Sequence, residues 1–150
     1  MTAVLIIAHT PLASSLCAAA AHTYPNLSGQ VAALDVGPDD TPEQIEGQAR
    51  ECIDALGQDD VLILVDVFGA TPCNALRSLA DPAHVRVLAG VNVPMLWRTL
   101  CYLKDPRETL ETLAERALAG GRQGVMAVSV SRPQNQPPKS GHDPDQHHDQ

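Results

Sequence analysis

Aromatic residues are scarce: one Trp, two Tyr and one Phe make up 3% of the 150 residues, whereas 44% are hydrophobic overall. The core must therefore be built from Ala, Val, Leu and Ile, which suits a sheet covered by Ala-rich helices better than a β-sandwich. Concentrated positive charge is also missing. The net charge is −8 and no Lys/Arg cluster occurs, which argues against a nucleic-acid or anionic-membrane surface. The four cysteines, Cys17, Cys52, Cys73 and Cys101, include no C-x-x-C pair, so neither a zinc knuckle nor a redox dithiol is visible. They read as buried free thiols of a cytoplasmic protein. The charged n-region of a signal peptide is absent. No stretch approaches the roughly 18 continuous apolar residues of a membrane span, so no direct membrane insertion is expected. Neither G-x-x-x-x-G-K-[ST] nor a strand-linked G-x-G-x-x-G is found, which removes the usual ATP and dinucleotide cradles.

The most organised stretch is Ala3-Val4-Leu5-Ile6-Ile7-Ala8-His9-Thr10-Pro11. Six apolar residues predict a central parallel strand with His9 at its carboxyl end, and Thr10-Pro11 predicts an N-cap followed by a first-turn proline. A helix is expected from Pro11 to about His22, closed by the breakers Tyr24 to Gly29. Val31 to Asp35 reads as the second strand. Thr41-Pro42-Glu43-Gln44 has the pattern of a capping box and opens a helix that ends near Leu56-Gly57.

Val61 to Val65 followed by Asp66 repeats the first motif, so Asp66 is the counterpart of His9. Thr71-Pro72 predicts another helix start, and the helix runs to Leu79. Gly69 lies in the intervening loop, where backbone turns sharply or approaches a ligand. A fourth strand is expected from Val85 to Ala89 and a helix from Pro94 to about Tyr102, with Asn92 either capping it or pointing into the site. Asp105-Pro106-Arg107-Glu108 reads as a further capping box, with its helix closing at Gly120-Gly121. Val125 to Val130 completes the pattern as a fifth strand.

This order predicts an α/β fold: a mainly parallel, open, doubly wound sheet of about five strands with helices on both faces. Residues 1–131 form one domain, and residues 132–150, rich in Pro, Gln, Asp and His, form a disordered polar tail. His142, His147 and His148 fall in that tail and have no assigned role, while His22 and His84 read as surface or capping groups.

Right-handed crossovers bring the carboxyl ends of parallel strands, hence His9 and Asp66, to one edge. The helix starts at Thr10-Pro11 and Thr71-Pro72 point to the same edge, where unpaired N–H groups favour an anion. A neutral imidazole can attack a phosphoryl group through one nitrogen while a carboxylate holds the proton on the other. His9 and Asp66 are thus the catalytic candidates. Thr10, Gly69, Ala70 and Thr71 are the phosphate-binding candidates, and the Thr71 hydroxyl can serve as N-cap, phosphate contact or both.

Three segments together resemble the mannose-type enzyme IIA domain of the bacterial phosphoenolpyruvate-dependent phosphotransferase system. They are Ile6 to Thr10, Leu64 to Ala75, and Ala89-Gly90-Val91-Asn92-Val93-Pro94-Met95-Leu96. The similarity spans about residues 1 to 130. It implies a phosphohistidine at His9, with HPr as phosphoryl donor and a IIB domain or protein as acceptor, Asp66 bonded to the other ring nitrogen, and no metal or cofactor. It also implies a homodimer in which the last strand crosses to the partner and joins its sheet antiparallel. The chain departs from the family at Val67, where a hydroxyl residue is common, and at Phe68, Ala70 and Thr71, where Trp, Gly and Ser are common. Alternatives compatible with the sequence are a phosphocarrier for dihydroxyacetone kinase, a non-catalytic regulatory binding module, and a metal-dependent lyase of the chelatase type.

Overall fold

The computed structural model describes residues 1–67 and 75–129. Four strands, β1 (Thr2–His9), β2 (Val31–Val36), β3 (Asp60–Val65) and β4 (Val85–Ala89), form one sheet in the order β2-β1-β3-β4. All three strand pairs are parallel. β1 is central because its apolar run has no polar face to show to water: Ala3 to Ala8 are all fully buried. Alternation then divides each strand between two cores.

On one face Val4, Ile6, Ala8, Leu62 and Leu64 meet helices α1 (Leu12–Thr23), α3 (Val93–Tyr102) and α4 (Leu110–Gln123) through Leu16, Leu96, Leu100, Leu113 and Ala117. On the other, Leu5, Ile7, Ile63 and Val65 meet α2 (Pro42–Leu56) through Ile45 and Ala49, together with Leu76. The doubly wound α/β architecture expected from the sequence is thus present, built on aliphatic side chains. Sequence order leaves β1 toward β2 on one side and toward β3 on the other. The carboxyl ends of β1 and β3 therefore flank the topological switch point, where the crevice of an open parallel sheet lies.

Local signals explain several element ends. Thr41 and Gln44 complete the expected capping box of α2, with Gln44 N donating to Thr41 Oγ1 at 3.2 Å and Thr41 N to Gln44 Oε1 at 2.9 Å. Gly57 closes α2 in the left-handed region at φ 62°, a conformation glycine adopts without Cβ strain. Between α1 and β2 the predicted breakers form a 3-10 turn, Pro25–Gln30.

Other expectations are corrected. Helix α1 starts at Leu12 with Pro11, not Thr10, at the N-cap position and with no side-chain cap; the Thr10 N–H instead extends the β1–β2 pairing by donating to Val36 O at 3.0 Å. The Asp105 to Glu108 stretch is a turn rather than a capping box: Asp105 Oδ1 accepts the Arg107 N–H at 3.0 Å, and its carboxylate grips the Arg107 guanidinium. α4 begins at Leu110 with a Thr109–Thr112 capping box instead. It also continues past Gly120-Gly121 to Gln123. Those glycines sit against α3, where a Cβ on Gly120 would come within 2.5 Å of Arg98 Cβ.

The fifth strand is not formed within the single chain over residues 125–129; Val125, Met126 and Val128 are exposed there. Val130, the 132–150 tail and most of the helix predicted from Thr71-Pro72 lie outside the described residues. Of that helix, residues 75–76 are helical, with Ala75 and Leu76 buried. Cys17 and Cys52 are half-buried free thiols, whereas Cys101 is exposed rather than buried; Cys73 is outside the described residues. Among the described residues no helix is long and apolar enough to cross a membrane.

Candidate functional site

His9 ends β1, and Asp66 follows Val65 at the end of β3. Ile7 pairs with Val65, so parallel register places the two ionisable residues side by side across the switch point. There, Asp66 Oδ2 lies 2.7 Å from His9 Nδ1 and accepts the His9 backbone N–H at 3.0 Å. Asp66 Oδ1 accepts the Val67 N–H at 2.9 Å. Burial would raise the Asp66 carboxyl, but the bonds from His9 N, His9 Nδ1 and Val67 N outweigh it and hold Asp66 below the ordinary carboxylate range. The carboxylate thus stays ionised and orients the ring.

Exposure is divided unequally. The His9 side chain is 56% exposed and that of Asp66 is 11% exposed. A fixed, largely buried carboxylate on Nδ1 leaves an imidazole presented to solvent with its other nitrogen free to act as a nucleophile. The sequence-predicted pair is therefore brought together. Thr10 is exposed beside it. Gly69, Ala70 and Thr71 lie outside the described residues.

The neighbouring helix start is arranged differently from expectation. One N–H of the first turn of α1 is taken: Ser14 N donates to Asp35 Oδ1 at 3.0 Å. Asp35 is at the end of β2, opposite Ala8 of β1. Ser14 chiefly, aided by the Ala13 N–H and opposed by burial, holds the Asp35 carboxyl below its usual range. Asp35 escaped the sequence reading because only its position one residue before the end of β2 hinted at a role.

Asn92, left open between capping and site, caps α3 by accepting the Met95 N–H at 2.8 Å and donates to Gly121 O of α4 at 3.2 Å. His84 is exposed, as expected, but has a specific partner: its Nδ1 lies 3.0 Å from Asp60 Oδ1 at the amino ends of β4 and β3. That is the sheet edge opposite His9. Among the described residues, no group of three or more His, Cys, Asp or Glu side chains is arranged to hold a metal ion.

An open parallel sheet with an exposed histidine held by a carboxylate at its switch point defines a small α/β domain. The family model described as PTS system fructose IIA component (EIIA-man) matches residues 3–117, and the chain belongs to that family. A PTS system mannose-specific EIIAB component of Escherichia coli (strain K12) is 42% identical over 71 residues, 47% of this chain and 22% of that protein. A PTS system fructose-specific EIIA component of Bacillus subtilis (strain 168) is 38% identical over 64 residues, 39% of this chain and 44% of the relative. The matches thus span about a fifth and under half of those relatives' lengths.

Among solved structures, the mannose/sorbose specific IIA subunit of the phosphotransferase system from Enterococcus faecalis superposes with a TM-score of 0.73 at 21% identity, covering 87% of this chain and 97% of that one. The phosphotransferase system component EIIA from Streptococcus agalactiae gives 0.72 at 20% identity, over 85% and 97%. At this identity the likeness establishes the fold.

Proposed function

We propose that the chain is a phosphocarrier that accepts a phosphoryl group on His9 from phospho-HPr and passes it to a IIB domain or protein. One observation carries the reading: Asp66 Oδ2 at 2.7 Å from His9 Nδ1 beneath a ring that is more than half exposed. The Nδ1 proton is held toward Asp66, so the lone pair of Nε2 is the nucleophile. In the transfer, the N–P bond of the donor phosphohistidine breaks as the Nε2–P bond forms, and the donor imidazole keeps the electron pair. The positive charge that develops on the His9 ring is balanced by Asp66, and no metal or cofactor enters the step. Catalysis is positioning plus charge stabilisation.

Thr10, Gly69, Ala70 and Thr71 contact the phosphoryl group in this reading. The Val67 side chain, where a hydroxyl is common in the family, supplies no hydrogen bond to the phosphoryl group and narrows the set of phosphate contacts. The active form is a homodimer in which the segment from Val125 pairs with a second copy. Support comes from the exposed apolar side chains of Val125, Met126 and Val128 and from β4 ending the described sheet. Residues 1–131 make up the carrier domain, residues 132–150 a disordered tail, and the compartment is the cytoplasm.

The test is phosphorylation with phosphoenolpyruvate, enzyme I and HPr. One acid-labile phosphoryl group is expected per chain, abolished by His9→Ala and retained in His22→Ala. Full labelling of His9→Ala would refute the assignment.

A further inference from the structure

The edge of the sheet opposite His9 has a polar opening of its own. A cleft of about 300 Å³ lies where the amino ends of β1 and β3 meet the turn between α3 and α4, bordered by Met1, Thr2, Asp60, Lys104, Asp105 and Glu108. That is the lower end of the volumes that hold small molecules, roughly 300–1,000 Å³. Strand register fixes one wall, because Thr2 pairs with Asp60. The α3–α4 turn supplies the other.

Glu108 is the residue that packing alone does not account for. Its side chain is only 7% exposed, and one carboxylate oxygen, Oε2, is buried with no donor among the described residues. The other oxygen, Oε1, accepts the Arg116 Nε–H, and Arg116 is itself held with its guanidinium 3.9 Å from the centre of the Tyr102 ring. Arg116 and Tyr102 border the neighbouring cleft and not this one. Since the two oxygens of a carboxylate diverge, commitment of Oε1 to Arg116 leaves Oε2 on the side of the 300 Å³ cleft. A buried acceptor without a donor is costly, so a ligand that brings one is favoured there.

The rest of the wall decides what kind of donor that is. Both Asp105 oxygens are taken by the Arg107 guanidinium, at 3.0 and 2.8 Å. Asp60 meets His84 through Oδ1 at 3.0 Å. Lys104, the one cationic side chain on the wall, donates its ammonium to Asn26 O at 3.0 Å, and Asn26 does not border the cleft. Three carboxylates therefore give the cleft a negative potential, on a chain whose net charge is already −8, and such a field draws in cations. They are not arranged to hold a metal ion. A cation that carries N–H donors on a short chain meets both requirements.

We propose that this cleft is a binding site for a small aliphatic ammonium compound, which donates an N–H to Glu108 Oε2 while Asp60 supplies negative potential. The site is separate from His9 and stands apart from the phosphocarrier reading.

The experiment titrates the full chain with 1,4-diaminobutane near neutral pH, read by calorimetry and by 1H–15N chemical shifts, with 1,4-butanediol as the uncharged control. Saturable one-site binding of the diamine is expected, with shifts confined to the amino edge of the sheet and none produced by the diol. Glu108→Gln keeps the shape and an oxygen for Arg116 but sets an NH2 group where Oε2 stood, so affinity should fall roughly tenfold or more, the span of a hydrogen bond to a charged group. Asp60→Asn should weaken binding by roughly two- to five-fold, as loss of a partly exposed charge does. Glu43→Gln removes an equal charge from the exposed first turn of α2, at the far edge, and should bind as wild type does.

No saturable binding to the wild-type chain overturns the proposal, as does equal binding of the diol. Unchanged affinity in folded Glu108→Gln overturns it as well, and if that variant does not fold, unchanged affinity in Asp60→Asn does so in its place. An equal loss in Glu43→Gln would reduce the effect to general attraction between a cation and an acidic protein, and would also overturn it. None of these outcomes bears on phosphorylation of His9.

Discussion

A single oxygen, Asp66 Oδ2, lies 3.0 Å from the backbone nitrogen of His9 and 2.7 Å from Nδ1 of the same residue. The carboxylate therefore fixes where the strand ends and how the ring is turned. Asp66→Asn can still accept one of these bonds but brings no charge to balance a phosphorylated ring. Phosphoryl transfer to His9 should slow by roughly 10²-fold or more, and Asp66→Ala should be at least as slow. Single-turnover transfer from phospho-HPr measures this. A rate in Asp66→Asn within about two-fold of wild type would remove Asp66 from the proposed chemistry.

The pair was legible before the structure because it is coded locally: two apolar runs, each stopped by one ionisable residue, need only parallel pairing to meet. The α2 capping box was legible for the same reason, since Thr41 and Gln44 are three residues apart. What escaped was long-range. Asp35 caps a helix 21 positions earlier, and His84 finds a carboxylate 24 positions earlier. Gly120 and Gly121 read as a helix stop, yet they are helical residues whose missing side chains admit α3. The Val125 segment has strand-forming residues but no sheet partner among the described residues of the single chain.

Asn92 joins two helices with one amide. Its Oδ1 caps α3 at Met95 N, and its Nδ2 donates to Gly121 O. Asn92→Ala loses both bonds and should cost about 1–2 kcal/mol, as loss of a good N-cap does. Asn92→Asp keeps the cap acceptor but cannot donate to Gly121 O, so it should fall between Ala and wild type. Urea unfolding of the three proteins checks the order. Asn92→Asp less stable than Asn92→Ala would show that the cap is not the larger part.

Gly124 ends α4 at φ −77°, so its backbone does not require glycine. Space does: a Cβ there would overlap the ring of Pro94 and approach Gly120 O at 3.1 Å. Pro94 is fixed by its ring and by the first turn of α3, so it cannot swing aside. Gly124→Ala should therefore destabilise by about 1–3 kcal/mol through overpacking, lowering Tm by roughly 2–4 °C per kcal/mol for a chain of this size. Gly47→Ala, in α2 with nothing within 4 Å of the added Cβ, serves as the contrast and should leave Tm unchanged or raise it. Equal losses in both variants would contradict the packing account.

At the edge opposite His9, the His84 imidazole is pushed above its ordinary range chiefly by the bond to Asp60, against a smaller opposing effect of burial, with Asp81, Asp60 and Asp59 adding negative potential. A histidine whose pKa is raised by folding contributes stability that is fully present below its unfolded value near 6.5 and lost as pH rises through the folded value. His84→Gln should therefore be most destabilising under mildly acidic conditions. The Tm difference from wild type is expected to be larger at about pH 5.5 than at about pH 8.5, where the wild-type ring is neutral. Screening should also shrink the difference in high salt, because the pair is exposed. A difference that grew toward alkaline pH would mean that neutral His84, through its ring packing or its hydrogen bond alone, ties β4 to β3.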